Sequence, residues 1–357
     1  MRQPLVSVIV DNYNYGRYLA QSIESALAQT YARTEVIVVD DASTDDSPTV
    51  IRRYARVVPV FKAVNSGQAS ALKAGFLASH GEIVIFLDAD DYLEPDAVAR
   101  VVAAWKPGIA KIQYRLRVID GSGRVVELFP PRDTRFDSGD VVPLLLRSGR
   151  YHTAVTSGNA FSREVLQRIL PIPEGEFRIS ADGYLVTLAP LFGTVLSLDE
   201  PLGVYRLHER NAWATRESAA AGRFRHSLKQ DFSRYRALSS KAAELGLEPP
   251  IDPGLHDWLH LESRICSLCT EPEGHPVRSD SRVFLGWRGF RESLRDSRLR
   301  WTRRAMLAAW FLAVGLLPRR HSRALVIWRM APAARPWFLT KLLRLIRGRQ
   351  RHAPRAA

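Results

Sequence analysis

IVIFLDADD, residues 83–91, holds five apolar residues and then three carboxylates within four positions, Asp88, Asp90 and Asp91. The unbroken apolar run, rich in β-branched residues, predicts a strand covered on both faces of a parallel sheet. Acids crowded this closely raise one another's pKa unless a cation neutralises them. A hard divalent ion takes oxygen ligands well, and a nucleotide diphosphate can complete its shell. The plainer reading of three aspartates is a solvated loop. The buried strand that delivers them argues against it.

The same grammar repeats on the N-terminal side. LVSVIV (5–10) and EVIVV (35–39) are further apolar, β-branched runs, and they end in Asp11 and in Asp40-Asp41. Helical spacing predicts Tyr18–Gln29, Ser47–Tyr54 and Gln68–Ser79, with Ser47 placed to cap its helix before Pro48. Val57–Ala63 is a weaker strand. Strands alternating with helices predict an α/β sheet with right-handed crossovers. Ligands of such sheets bind at the carboxyl ends of the strands, where these acids fall.

Beyond Asp96 the pattern loosens. A helix is expected at Asp96–Trp105 and a hairpin from Ala110–Ile119 and Val125–Phe129 around Asp120–Gly123. Short helices follow at Ser162–Ile169 and Asp182–Leu191, then late strands at Thr194–Leu198 and Val204–Leu207. Residues 217–245 read as a polar helix. LEPPIDPG (247–254) is rich in breakers and marks a boundary. No repeat of fixed period is present.

Two other stretches bear on chemistry. In VIVVDDASTDDS (36–47), Asp41 is placed to accept hydrogen bonds from a base N–H or ribose hydroxyls, although Ser and Asp equally suit a helix start. In VDNYNYG (10–16), Asn and Gly suit a turn and Tyr13 can stack on a base. Neither GxGxxG nor GxxxxGK[ST] occurs, which weighs against dinucleotide-dependent dehydrogenases and P-loop enzymes. The Gly-rich, Arg-bearing loop of a sugar nucleotidyltransferase is also missing. That class is the alternative enzyme reading; an inactive nucleotide-sugar-binding scaffold is the non-enzymatic one.

Taken in order, VSVIVDNYNYGRYLAQSIESALAQTY, EVIVVDDASTDDS, NSGQASALKAGFLASHGEIVIFLDADDYLEPDAV, TSGNAFSREVL, SADGYL and PLGVYRLHERN resemble a family 2 glycosyltransferase. The resemblance covers residues 4–212. It implies an α/β, Rossmann-like GT-A fold and inverting transfer from a nucleotide-diphosphate sugar, with a UDP-sugar favoured. The implied acceptor is a saccharide or lipid-linked saccharide, and the cofactor Mn2+ or Mg2+. By the same resemblance Asp41 contacts the base, with Tyr13 and Asp11 nearby. Asp90 binds the metal, Asp88 faces ribose or sugar, and Asp91 holds the loop or reaches the donor. Asp182 matches the catalytic base, and Arg206 and His208 approach the pyrophosphate or metal. The chemistry suits these residue types. A sugar hydroxyl is a poor nucleophile and needs a carboxylate base, and a metal stabilises the departing diphosphate.

Some positions depart from the family pattern. Asp11 stands where the family has Pro or Thr. Ala181, and not Glu, precedes Asp182. Ala71-Leu72-Lys73 replaces Ala-Arg-Asn, and the Gln-X-X-Arg-Trp motif of processive synthases is absent. These differences leave the donor open and argue against a processive polymerase.

The net charge of +14 is uneven. Residues 282–357 hold 19 Lys and Arg against Glu292 and Asp296, while residues 1–281 hold 32 basic and 35 acidic groups. The tail interleaves Trp301, Trp310, Trp328 and Trp337 with arginine. Its apolar run Ala305–Leu317 is 13 residues long, short of the roughly 20 needed to span a bilayer. This predicts a helix lying on an anionic membrane surface; a packed helical subdomain is the plainer reading. No nucleic-acid fold signature accompanies the charge, so nucleic acid is not an expected partner.

The expected organisation is a catalytic domain at 1–215, a helical connector at 216–246 and a basic helical region at 247–357. Cys266 and Cys269 would share one helix face as buried small residues. No disulfide framework is expected, and the N-terminus reads as a strand, not as a signal peptide. The expected location is cytoplasmic, peripheral on the inner face of the plasma membrane, in cell-envelope polysaccharide synthesis.

Overall fold

The structure, a computed structural model, describes residues 3–132, 134–208, 220–249, 251–330 and 337. β1 (Val6–Asn12), β2 (Thr34–Asp40), β3 (Val57–Phe61) and β4 (Ile83–Asp88) form the parallel half of a nine-stranded sheet. They are joined by α1 (Gly16–Leu27), α2 (Ser47–Ile51) and α3 (Gln68–Ala78). Then come β5 (Tyr92–Leu93), α4 (Ala97–Ala104), β6 (Ile109–Ile119), β7 (Val125–Phe129), α5 (Val142–Ser148), β8 (Asn159–Ser162), α6 (Arg163–Ile169), α7 (Ala181–Leu188) and β9 (Thr194–Arg206). The strand order is β3-β2-β1-β4-β8-β6-β9-β5, with β7 on β6. β8 runs antiparallel to both β4 and β6, so the sheet is mixed.

Side chains alternate between the two faces of a strand. Val8 and Val10 of β1, with Ile85 and Leu87 of β4, pack with Leu19 and Ile23 of α1. Ile9, Val84 and Phe86 face the other way, onto Leu72 and Phe76 of α3 and Leu185 of α7. Both faces are buried, which is why the strands read as nearly unbroken apolar runs, with Ser7 of β1 the polar exception. A Cβ on Gly75 of α3 would overlap the side chain of Ile9, so glycine lets this helix lie close to the sheet.

Two local expectations need correction. Ser47 makes no side-chain cap; its N–H instead donates to Asp45 Oδ1 (3.0 Å), and Asp46 occupies the cap position. The two late strands are one, β9. Asp199-Glu200-Pro201 looks like a turn in sequence but forms an irregularity at which the register against β6 shifts beside Arg115 and Pro201.

α8 (Ala220–Glu244), α9 (Trp258–Thr270), α10 (Arg282–Arg295), α11 (Trp301–Leu316) and α12 (Arg319–Met330) follow. The chain divides into two compact units. One contains the sheet, residues 230–249 and residues 251–253. The other contains residues 220–229 and 254–330. The helical unit has its own core, built on Leu261, Ile265, Leu285, Leu307 and Phe311. Its loops are tied by buried polar groups. Arg264 and His275 both donate to Asp280, and Trp258 Nε1 donates to Asp296 Oδ2 (2.9 Å). Cys266 is buried in this core, both thiols are free, and burial pushes both upward in pKa. No helix among the described residues is long and apolar enough to cross a membrane. The tail at 331–336 and 338–357 lies outside the described residues.

Candidate active site

Register brings the acids together. In the parallel ladder Asp11 of β1 lies opposite Asp88 of β4, and Asn12 opposite Asp40 of β2. The loops after β1 and β2 are clamped to one another. Asn12 Nδ2 donates to Asp40 Oδ1 (2.8 Å), Asn14 Oδ1 accepts from Thr44 N–H (2.7 Å), and Asn14 N–H donates to Ser43 Oγ (2.9 Å). Asn14 and Ala42 adopt left-handed backbone, with φ of 59° and 60°, which turns both loops sharply.

A cavity of about 540 Å³ opens at these strand ends, within the usual size range of small-molecule sites. Asp11, Tyr13, Asp41, Asp88, Asp90 and Asp182 all line it. Tyr13 is 43% exposed, so its ring is available for stacking. Asp41 is buried and anchors the next loop: its carboxylate accepts from Lys62 Nζ, Ser66 N–H (3.1 Å) and Gly67 N–H (2.7 Å). Asp182 reaches the cavity from the first turn of α7, after Ser180 in left-handed conformation (φ 62°).

Asp91, Arg206 and His208 stand behind the lining. Asp91 is buried and accepts from Ser157 Oγ (2.7 Å) and Arg206 N–H (3.0 Å). The Arg206 guanidinium lies over Tyr18, 4.7 Å from the ring centroid, and donates to the Asp90 carbonyl (3.0 Å) and Gln21 Oε1 (2.6 Å). It is thereby turned toward the protein. His208 Nε2 is 2.8 Å from Asp90 Oδ2, with its ring against Tyr15 and Tyr18.

Several site residues carried no signal of their own in the sequence. Gln68 is foremost. Its Nε2 donates to Asp88 Oδ1 (3.0 Å) and its Oε1 accepts from Ala181 N–H (3.0 Å), which joins the strand-end acids to the segment bearing Asp182. Ser157 Oγ links Asp91 to the Asp88 N–H (3.2 Å). Arg178 lines the cavity and donates to Asn65 Oδ1 (2.5 Å). Lys111 is wholly buried, donates to Thr153 Oγ1 (2.8 Å) and, with Arg234, offsets only part of the rise that burial gives Asp182. No motif distinguishes an isolated Gln, Arg or Lys; only the fold brings them to the site.

The crowded carboxylates are relieved either by protons or by a cation. Burial, and then the charge of Asp90, pushes Asp11 up to about 7. Burial and neighbouring acids raise Asp88 and Asp91 well above the ordinary range, and burial raises Asp182. Asp11 Oδ1 is buried and receives no hydrogen bond. Asp88, Asp90 and Asp91 offer carboxylate oxygens within 4.8 Å of one another. Three clustered oxygens beside the unpartnered Asp11 Oδ1 fit a hard divalent ion.

Comparison with known proteins places the chain in a family. The description "Glycosyl transferase family 2" matches residues 7–170. An uncharacterised glycosyltransferase of Nostoc sp. is 37% identical over 223 residues, which is 60% of this chain and 69% of that protein. The chain belongs to glycosyl transferase family 2. Its fold is that of the GT-A glycosyltransferases. A Pyrobaculum calidifontis mannosyltransferase in complex with GDP-Man and Mn2+ aligns with TM-score 0.50 and 21% identity over 93% of this chain and 87% of its own. TarS 1–349 of S. aureus in complex with UDP aligns with TM-score 0.51 and 16% identity over 91% of each. The chondroitin synthase of Escherichia coli is 33% identical over 130 residues, 35% of this glycosyltransferase and 19% of the synthase. The match to that relative therefore spans about a fifth of its length.

Proposed function

We propose that this family 2 glycosyltransferase transfers a sugar, with inversion, from a nucleotide-diphosphate donor to a hydroxyl of a saccharide or lipid-linked saccharide. The observation that carries this reading is the shared cavity: Asp182 and the strand-end acids Asp88 and Asp90 line it together, joined by Gln68. Asp182 takes the proton of the acceptor hydroxyl. That oxygen forms its bond to the anomeric carbon from the face opposite the diphosphate, the bond to the phosphate oxygen breaks, and its electron pair leaves on the nucleotide. Burial, which raises Asp182, makes it a stronger base. Asp41 takes the base with Tyr13 and Asp11 nearby, and Asp88 faces the ribose or sugar. Asp90, with His208 beside it, would hold Mn2+ or Mg2+, which when bound supplies positive charge for the departing diphosphate. Asp91 and Arg206 fix the acid loop. A UDP-sugar is the favoured donor.

The finer setting is part of the same proposal. The enzyme works at the cytoplasmic face of the plasma membrane, in envelope polysaccharide synthesis, held to the anionic surface by its C-terminal region. The partial likeness to a polysaccharide synthase and the concentration of arginine beyond residue 281 support it.

The test is donor hydrolysis and transfer across UDP-, GDP- and dTDP-sugars with Mn2+ or Mg2+. Asp182→Asn is expected to lower transfer by about 10²- to 10⁴-fold, the usual contribution of a general base, with donor binding retained. Asp90→Ala is expected to remove metal-dependent turnover. Unchanged turnover in either variant would overturn the role given to that residue.

A further inference from the structure

The helical unit carries a second apolar face that its own core does not use. On α10, Leu285, Gly286 and Gly289 are buried, while Val283, Trp287 and Leu294 are 59%, 52% and 41% exposed. Phe290, half-buried against the core, borders them by stacking on Trp287, centroids 5.4 Å apart and planes at 21°. Positions 283, 287, 290 and 294 form one stripe at helical spacing. On α11, Leu307, Phe311 and Val314 point inward, while Trp301 and Leu316 are 75% and 68% exposed.

The two stripes lie side by side. A Cβ on Gly286 would lie 2.8 Å from Gly315 Cα, so the helices are in close antiparallel contact. Both turn their inner faces into the same core, so their outer faces share a side of the hairpin. From α11's Ala305 to Leu316 there is no charged residue.

We propose that this face of α10 and α11 docks on an anionic lipid bilayer, with both helices parallel to the surface. Charge selects the occupant. Residues 282–330 hold twelve arginines against two acids, Glu292 and Asp296. Both acids are buried and bonded to Arg295, Arg298 and Trp258, so the outward charge is cationic. A second copy would bring the same arginines against these and be repelled; anionic headgroups are attracted. Exposed indoles between arginines suit the boundary of headgroup and acyl chain. The apolar run noted in the sequence therefore serves two purposes: its inner half builds the core and its outer half, with α10, faces the lipid.

The proposal rests on the membrane part of the function proposed above, and the experiment separates the two. Full-length protein is sedimented with phosphatidylcholine vesicles, with and without phosphatidylglycerol, alongside a Trp287→Ser/Trp301→Ser variant. Wild type is expected on the anionic vesicles and in the supernatant of the neutral ones. The variant is expected to partition at least about tenfold more weakly, with donor hydrolysis in vesicle-free buffer unchanged. Wild type that ignores anionic vesicles overturns both the membrane reading and this face. A variant that partitions as well as wild type overturns this face alone. So does a wild-type dimer that the substitutions dissociate, since the face would then belong to a second copy.

Discussion

Gln68 shows how much of a site a single residue can organise. Its amide spans from Asp88 to the backbone of Ala181, and so fixes the distance between the strand-end acids and the Asp182 segment. One of these bonds goes to a carboxylate, and bonds to charged groups contribute about 1.5–3 kcal/mol. Gln68→Ala is therefore expected to lower kcat/KM by about ten- to a hundredfold, mainly through kcat. Gln68→Glu would repel Asp88 and lower it further. A steady-state comparison of both variants checks this. An alanine variant with wild-type kcat would show that Asp182 is positioned without Gln68. The acids themselves were legible in the sequence, because carboxylates after an apolar strand have few structural uses. Gln68 was not, because its partners lie 20 and 113 residues away and only the fold brings them together.

At the scale of elements, periodicity carried the reading where both faces of a strand are buried. β1, β2 and β4 lie within a residue or two of their expected bounds, because burial on two faces leaves almost no polar position to blur the run; Ser7 of β1 is buried but bonded to Glu35 and the Gly81 N–H. It failed where a local signal competes with tertiary pairing. Asp199-Glu200-Pro201 has turn composition, yet the long β6 partner carries β9 through it, with Arg115 donating to Asp199 (2.8 Å) and the register slipping to take the proline. The site's own elements depend on a close approach that no motif announces: α3, which carries Gln68, lies on β1 at Gly75. Gly75→Val would force the helix off Ile9. Overpacking of this kind typically costs about 1–3 kcal/mol, so the melting temperature should fall by several degrees and Gln68 should lose its register. Differential scanning fluorimetry with a donor-hydrolysis assay tests this. A variant of wild-type stability and activity would mean that the contact yields freely.

For the molecule as a whole, the acid cluster is expected to make stability depend on pH and, if the proposed metal binds there, on metal as well. Asp11 is held at about 7 against an ordinary value of 3.8, and Asp88, Asp91 and Asp182 are also raised. The metal-free folded protein thus keeps protons that the unfolded chain has already lost. Stability then falls as pH rises. The favourable contribution is complete below the ordinary carboxylate range and is lost as pH passes through about 7. Asp280 and Asp296 are lowered, by hydrogen bonds and ion pairs with His275, Arg264 and Arg298 that outweigh their burial. Their contribution is in place above the ordinary range and fades only in stronger acid, so it does not bend the curve in this window. A divalent ion held by the ionised cluster would compete with its protons. Mn2+ should therefore raise the melting temperature markedly at about pH 8 and much less at about pH 5.5, and Asp11→Asn should raise the metal-free melting temperature at the higher pH. Melting curves in EDTA and in Mn2+ at the two pH values decide it. An equal Mn2+ effect at both would mean that the cation binds away from these carboxylates, and would remove the strand-end acids from the metal site.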